Sequence, residues 1–517
     1  MSTNIFETGA GEICHLILDQ IDSLKDLCSF CLTSRACFAM TLSHLYEVVP
    51  LAARPTEFMD STPPLVFAHS LSSRLLDSKN EVLRRAVHEL EFGLFSPEDV
   101  DDMETRLLSL VDSLPNLQRV KIRGRLTPKA LETLAGHQKR ISLFLLGEDG
   151  QRQVEDHMQM RNVVALAATV NPYDRTNGPN RRVLGVQKLL FACPALLSFS
   201  LEFAPDLSSD MGIPEVLPTL SFSLADTKAN FPPLEELSLI GYQMSQDESE
   251  HWKKKFQWSS LKSLTLGPPN MVAFLSQTTG CALFLKTLEV KRWSDEETRS
   301  DCPPLQWFLM AFTTLESLVV KGYHVPLEAV ANHSSLKCLC IHSFEPVHSV
   351  TTAYLRPTYG VEQLKELEER CPHLEELELD SNSREEAARV LESITQRFRS
   401  LRRLTLHLAL DLKGKAANAI PPMVPESNAY VNPVLTEDYA GEIGQPFFAC
   451  RRQRLPSSRL GLLVLKTGEP LRTLSDYESI NMAYERKYTD TIEVHRPLDV
   501  ERMPDVVTLA RDPWSCF

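Results

Sequence analysis

Leu234-Glu-Glu-Leu237-Ser-Leu239, Leu261-Lys-Ser-Leu264-Thr-Leu266, Leu285-Lys-Thr-Leu288-Glu-Val290, Leu315-Glu-Ser-Leu318-Val-Val320, Leu336-Lys-Cys-Leu339-Cys-Ile341, Leu374-Glu-Glu-Leu377-Glu-Leu379 and Leu401-Arg-Arg-Leu404-Thr-Leu406 are successive copies of one phrase, Leu-x-x-Leu-x-[Leu/Ile/Val]. Chance would place such a phrase roughly three times in the whole chain, so this clustering marks a repeat. The first leucines lie 27, 24, 30, 21, 38 and 27 residues apart, near the period at which short strand-plus-connection units stack. Residues two apart on a strand share a face, so Leu377 and Leu379 are expected to point inward and Glu376, Glu378 and Asp380 outward. One such rung cannot bury its apolar side alone; it needs a neighbour above and below.

Between the phrases, 362–370 and 385–398 carry apolar residues at helical spacing: Leu364 and Leu367, then Ala388, Leu391 and Ile394. The fold class that follows is α/β: an irregular solenoid with a parallel inner sheet and outer helices. At 517 residues the chain is too long for one compact core unless it is such an array. Its net charge of -14 argues against nonspecific binding to nucleic acid or an anionic membrane. No apolar run reaches transmembrane length, and 1–11 lacks the basic start and apolar run of a signal peptide. Twelve cysteines scattered through apolar patterns fit a reduced compartment, so the expected location is the cytoplasm, the nucleus or both.

Upstream of the array, Ile13, Leu16, Ile17, Gln20 and Ile21 trace one face of a helix. Ser23 followed by Asp26 opens a second helix through Leu24, Leu27, Phe30 and Cys31, and Thr33 or Ser34 caps a third with a stripe of Phe38, Leu42 and Leu45. Three short helices make a very small core, which needs a partner or a following domain. Residues 52–86 read as a linker and packing segment in which Pro63-Pro64 prevents a continuous helix. The ladder is expected to begin with Val87-His-Glu-Leu90-Glu-Phe92 and Leu117-Gln-Arg-Val120-Lys-Ile122, with a helix at 99–114 on Met103, Leu107, Leu110 and Val111 between them. A strand at 141–146, a loop at 171–182 and a strand at Leu196-Leu-Ser-Phe199-Ser-Leu201 follow. The array therefore occupies 87–410. Residues 411–458, which include Ile420-Pro-Pro-Met-Val-Pro425, read as a long, partly disordered insertion. A last rung at Leu460-Gly-Leu-Leu463-Val-Leu465 and a terminal cap with Tyr477, Tyr484 and Tyr488 fill 459–517.

Glu12-Ile13, Leu16-Ile17-Leu18, Asp26-Leu27, Leu32-Thr-Ser-Arg35, Phe38 and Leu45-Tyr46 resemble an F-box, particularly of the fungal kind, in which a helix trio precedes long, irregular leucine-rich repeats. The resemblance covers 9–51 for the F-box and, more loosely, 87–465 for the repeats. Gly9-Ala10 stands where the family usually has Leu-Pro. The resemblance implies a substrate-recognition subunit of an SCF-type cullin–RING ubiquitin ligase. Ile13, Leu16, Ile17, Leu27, Leu32 and Phe38 would then seat a Skp-type adaptor, while the repeats hold a target protein. The alternative is a leucine-rich-repeat scaffold attached to no ligase. Neither reading asks for a catalytic residue or a cofactor.

Three further constellations contain residues of chemical interest. Cys28 and Cys31 form C-x-x-C without a second ligand pair, which favours two core cysteines on one helix face. Cys338, Cys340 and His342 alternate on one strand, but i, i+2, i+4 spans about 13 Å, too far for one ion to collect all three. Glu376, Glu378 and Asp380 beside Arg403, Thr405 and His407 are expected to form a charged face with cross-strand ion pairs. Arg119, Lys121 and Arg123 form a basic counterpart nearer the amino end. Arg119, Lys121, Arg123, Glu376, Glu378, Asp380, Arg403 and His407 are thus the target-binding candidates. No phosphate-binding loop, nucleophile elbow or zinc-finger spacing occurs.

Overall fold

The spaced leucines become continuous apolar columns. Leu237 pairs in parallel register with Leu264, Leu264 with Leu288, Leu288 with Leu318, and Leu318 with Leu339. The column continues through Leu377, Leu404 and Leu463. Every member is at most 2% exposed. At about 1.5–3 kcal/mol for each fully buried leucine, this column outweighs any polar contact between rungs.

The computed structural model describes residues 18, 21, 24–51, 64–93, 95, 99–123, 126–137, 141–147, 160–170, 179–203, 231–242, 246–267, 271–291, 302–343, 357–382, 384–408, 437–455, 457–467, 490–496 and 505–508. They fall into two units: one takes the described residues up to 202 and 231–234, the other Phe203 and those from 235 onward.

The first unit opens with helices α1 (Leu24–Cys31) and α2 (Arg35–Tyr46). Ser34 is the cap of α2: its backbone is extended and its Oγ accepts from the Cys37 N–H at 3.1 Å. Then come β1 (Val48–Leu51), α3 (Pro64–Leu76), α4 (Glu81–Ala86), β2 (Glu89–Phe92) and α5 (Val100–Ser113). The unit continues with β3 (Arg119–Ile122), α6 (Pro128–Ala135), β4 (Ser142–Gly147), β5 (Val163–Val170), α7 (Pro179–Ala192) and β6 (Ser198–Phe203). Strands β1 to β5 pair in order and in parallel. As expected, α5 buries Met103, Leu107, Leu110 and Val111.

Several expectations are corrected here. The ladder starts one strand earlier than 87–92, because β1 pairs with β2 residue for residue. The expected linker carries helix α3 from Pro64 to Leu76, with Pro64 in the first turn, where a missing N–H costs nothing. Strand β5, with Val163, Ala165, Ala168 and Val170 buried, lacks the Leu-x-x-Leu phrase and so adds a strand that the pattern does not anticipate. Residues 179–182 belong to α7 rather than to a loop.

The second unit contains β7 (Glu236–Ile240), α8 (Gln246–Lys255), β8 (Ser263–Leu266), α9 (Met271–Thr278), β9 (Thr287–Lys291), α10 (Pro303–Met310) and β10 (Ser317–Lys321). After these come α11 (Leu327–Val330), β11 (Cys338–His342), α12 (Val361–Arg370), β12 (Glu376–Ser381), α13 (Arg384–Thr395) and β13 (Arg403–Leu408). The unit ends with α14 (Glu437–Arg454), β14 (Leu462–Thr467), β15 (Asp490–His495) and β16 (Asp505–Thr508). Strands β7 to β14 are all parallel. Strands β15 and β16 run antiparallel beyond them, which ends the parallel ladder after 460–465; the tyrosines at 477, 484 and 488 lie outside the described residues. Each unit is therefore α/β with an open, mostly parallel sheet, compatible with stacked solenoid-like repeats.

One backbone device recurs at the start of many strands. The carbonyl of the phrase's second residue accepts two N–H groups from the next rung: Glu235 O from Lys262 and Ser263, Lys262 O from Lys286 and Thr287, Lys286 O from Glu316 and Ser317. In the first unit Glu47 O and His88 O do the same. The second residue also carries charge, and many neighbours pair opposite signs. Lys262 pairs with Glu235 at 2.8 Å, Lys286 and Lys337 both with Glu316 at 2.8 Å, and Arg402 with Glu375 at 3.1 Å. Hydrogen bonds from the two lysines hold the Glu316 carboxyl down to about 2. These pairs are exposed, so their weight is in register more than stability. Strands β7 and β10 leave the ladder through Gly241 (φ +71°) and Gly322 (φ +89°), left-handed positions where a side chain would be strained.

Helix α12 buries Leu364 and Leu367 as expected. In α13 the buried stripe is Ala387, Val390, Leu391 and Ile394, with Ala388 exposed, a shift of one residue from the expected face. The expected insertion is partly helical: α14 lies within it, and 411–436 lie outside the described residues. Its anchor is Arg451, 2% exposed. The Arg451 guanidinium donates to the carbonyls of Ile394, Arg397 (3.0 Å) and Phe398 (2.7 Å) and to Ser458 Oγ (2.6 Å). It thereby satisfies the carbonyls exposed at the end of α13. Replacing it with the long but apolar methionine (Arg451→Met) should cost about 2–4 kcal/mol, because buried acceptors are left unpaired; the urea-unfolding midpoint of the full chain measures this.

His333 is fully buried, its ring 5.1 Å from that of Phe312, and its carbonyl accepts from the Cys371 thiol. Burial pushes its pKa down to about 4, so it is neutral in the fold. The unfolded chain takes up this proton below about pH 6.5, and stability contributed here falls as pH drops from 6.5 to 4 and then levels off. The expected loss is roughly 3 kcal/mol. Urea midpoints of wild type and His333→Phe between pH 7 and 4 should diverge across that window.

Candidate functional site on the strand face of the second unit

The side chains that alternate with the leucine columns form rows across β11, β12 and β13. Glu376 stands opposite Cys338 and Arg403, Glu378 opposite Cys340 and Thr405, and Asp380 opposite His407, which in turn stands opposite Lys466. Along the strands these rows become progressively more enclosed. Glu376 and Arg403 are exposed, the Glu378 side chain is 22% exposed, and His342, Asp380 and His407 are 3%, 5% and 6% exposed.

At the enclosed end the polar groups satisfy one another. His342 Nδ1 lies 2.7 Å from Asp380 Oδ1, while Asp380 Oδ2 accepts the Ser343 N–H at 2.6 Å. Glu378 Oε1 accepts from His407 Nε2 at 2.5 Å and from Lys466 Nζ at 3.1 Å. The two imidazoles stack, with centroids 3.7 Å apart and planes at 18°. Each histidine thus has its own carboxylate, and the rings meet face to face between them. Burial, reinforced by His342, pushes the His407 pKa down to about 4 against the pull of Glu378 and Asp380. Burial would raise the Glu378 carboxyl, but His407 and Lys466 hold it well below the usual carboxylate range. Burial pushes the Cys340 thiol well up, aided by Glu378. The arrangement can pass protons between imidazole and carboxylate, and it collects nitrogen and oxygen donors at one point.

The expected outward face is thereby revised. Asp380 is buried and turns to His342 rather than to His407, its register partner; His407 turns diagonally to Glu378. Neither offers a side chain to a docking protein. Glu376 and Arg403 remain exposed, and Glu378 partly so. In the first unit, Arg119 and Lys121 pair with the buried carboxylate of Glu89 at 2.9 and 2.6 Å, and Lys121 also with Glu91 at 3.5 Å. The expected basic stretch is accordingly a mixed one, with Arg123 an exposed cation at its end. The C-x-x-C pair is split: Cys31 is buried and Cys28 exposed.

Among the adaptor candidates, Ile13, Leu16 and Ile17 lie outside the described residues, and so does Ser23. Leu27 packs at 9% exposure, whereas Leu32 and Phe38 are 86% and 51% exposed. Phe38 therefore does not join the stripe of α2, whose buried members among the described side chains are Thr41 and Leu42.

Sequence reasoning misses Ser343 and Lys466, and it considers His342 only together with the cysteines of its own strand. Along its own strand His342 keeps company only with Cys338 and Cys340. Its partners come from β12 and β13, 38 and 65 positions later, and only the rung register reveals them. No protein-family model matches the chain, and neither does any curated protein.

Glu378→Gln keeps the shape of the shared acceptor but removes the charge that His407 and Lys466 both use. It should lower the unfolding free energy by about 1–3 kcal/mol, read from urea denaturation at pH 7.

Proposed function

We propose that this chain is the substrate-recognition subunit of an SCF-type cullin–RING ubiquitin ligase, with residues 9–51 as an F-box and the strand-and-helix rungs as leucine-rich repeats. The F-box would engage a Skp-type adaptor, and exposed strand-face residues, Glu376 and Arg403 in the second unit or Arg123 in the first, would engage a target protein. The observation that carries this reading is the surface of α1, α2 and the turn between them. They bury Leu27 and Leu42 yet leave Leu32 and Phe38 in solvent, apolar area in reserve on a very small helical piece. Both residues belong to the F-box-like pattern.

The chain's part in ubiquitin transfer would be proximity: holding a target where another subunit acts requires geometry, not a catalytic side chain. A place in the cytoplasm or nucleus is part of the same proposal. Among the described residues no helix is long and apolar enough to cross a membrane.

Co-expression of the full chain with a Skp-type adaptor tests the reading. A stable complex is expected, weakened at least about tenfold, or roughly 1.4 kcal/mol, by Leu32→Asp and by Phe38→Asp. Val82→Asp, at a 70% exposed apolar position on α4, should leave it intact. A folded wild-type chain that binds no adaptor would instead support a scaffold outside any ligase.

A further inference from the structure

We propose that His342, Asp380 and His407 form a binding site for one divalent transition-metal ion, zinc in the first instance. The three residues come from adjacent parallel strands, β11, β12 and β13, and all are buried. One donor atom from each lies within 4.8 Å of the others. Two imidazoles and one carboxylate are a borderline-soft donor set that suits zinc, and a three-residue set leaves a coordination position open. A hard cation such as magnesium or calcium prefers a shell of oxygens, which this cluster lacks.

The surroundings are those of a metal site. Glu378 binds Nε2 of His407, the carboxylate–imidazole pairing that orients a ligating histidine and fixes its tautomer; coordination would then fall to Nδ1. Ser343 holds Asp380 through its backbone N–H, and Lys466 holds Glu378. The most distant donors have to close by up to about 1.5 Å to reach the roughly 3.3 Å separation of ligands around tetrahedral zinc, whereas His342 Nδ1 and Asp380 Oδ1 already lie 2.7 Å apart. A ring binds an ion in its own plane, and two rings stacked at 3.7 Å cannot both do so. Binding therefore turns one imidazole out of the stack and replaces the His342–Asp380 hydrogen bond, the ring proton passing to the imidazole nitrogen that does not face the ion.

This site does not depend on the ligase reading, and failure to bind an adaptor leaves it untouched. The test uses the full chain stripped with EDTA and freed of chelator. Cobalt(II) should add in one equivalent with visible d–d bands of a low-coordinate site, zinc should displace it, and millimolar magnesium or calcium should not. His407→Gln and the isosteric Asp380→Asn should each weaken uptake by about ten- to a hundredfold. His137→Gln, which removes an imidazole bound to Asp112 in the first unit, should not. X-ray absorption of the zinc-loaded wild type should count two imidazoles with oxygen and no sulfur, a readout that holds even where the variants fail to fold. No cobalt uptake at millimolar concentration, equal affinity in folded Asp380→Asn, or a sulfur-containing shell would each overturn the site.

Discussion

Parallel register between rungs is the constraint from which the rest of the structure follows. A leucine placed at the same point of each strand is buried only if the strand above arrives unshifted, since a slip of one residue would turn every side chain to the opposite face. The column from Leu237 to Leu463 shows the consequence: each rung is closed by the next, and none has an apolar core of its own. Where it occurs, the double hydrogen bond onto the second-residue carbonyl sets the height of the next strand. The opposed charges of Glu235 and Lys262, of Glu316 with Lys286 and Lys337, and of Glu375 and Arg402 discourage a shifted neighbour at little energetic cost.

Connections between strands can then vary freely. Spacings range from 21 to 38 residues, yet the register does not drift, because closing a longer loop adds only about 0.6 kcal/mol for each doubling of its length. Beyond β13 the connection is longer still, and the chain adds its own fastening. Arg451 brings α14 back onto the end of α13 by giving its carbonyls the donors that a helix terminus lacks. A buried guanidinium is tolerable there because its Nε–H and both of its terminal nitrogens find acceptors, so that burial lowers its pKa to about 10 without neutralising it.

The same register builds the polar cluster. Side chains between the leucine columns stand about 4.8 Å from their cross-strand neighbours, close enough for hydrogen bonding along a row or a diagonal. At the open end this yields an exposed charged surface at Glu376 and Arg403. At the enclosed end, where water is excluded, the groups must satisfy each other. His342 and Asp380 do so as one pair, His407, Glu378 and Lys466 as a second set, and the stacked imidazoles join the two. One repeating geometry thus supplies both an exposed charged surface and a buried cluster of nitrogen and oxygen donors.

The sequence alone determined the array, because the repeat phrase encodes a strand with one apolar face and nothing but stacking can bury it. It also determined the helices α5 and α12, whose buried residues recur at helical spacing. Strand β5 escaped notice because small residues such as Ala165 and Ala168 fill its buried positions and carry no leucine signature; α3 escaped because Pro64 reads as a breaker until it is seen to occupy a first turn. The cluster was half legible: Asp380 and His407 were picked out by type, but as outward groups facing each other. Which carboxylate meets which histidine, and whether either reaches solvent, was decided by the tertiary structure. Pairing across strands depends on the height at which separate rungs come to rest, a relation between residues dozens of positions apart that no local pattern contains.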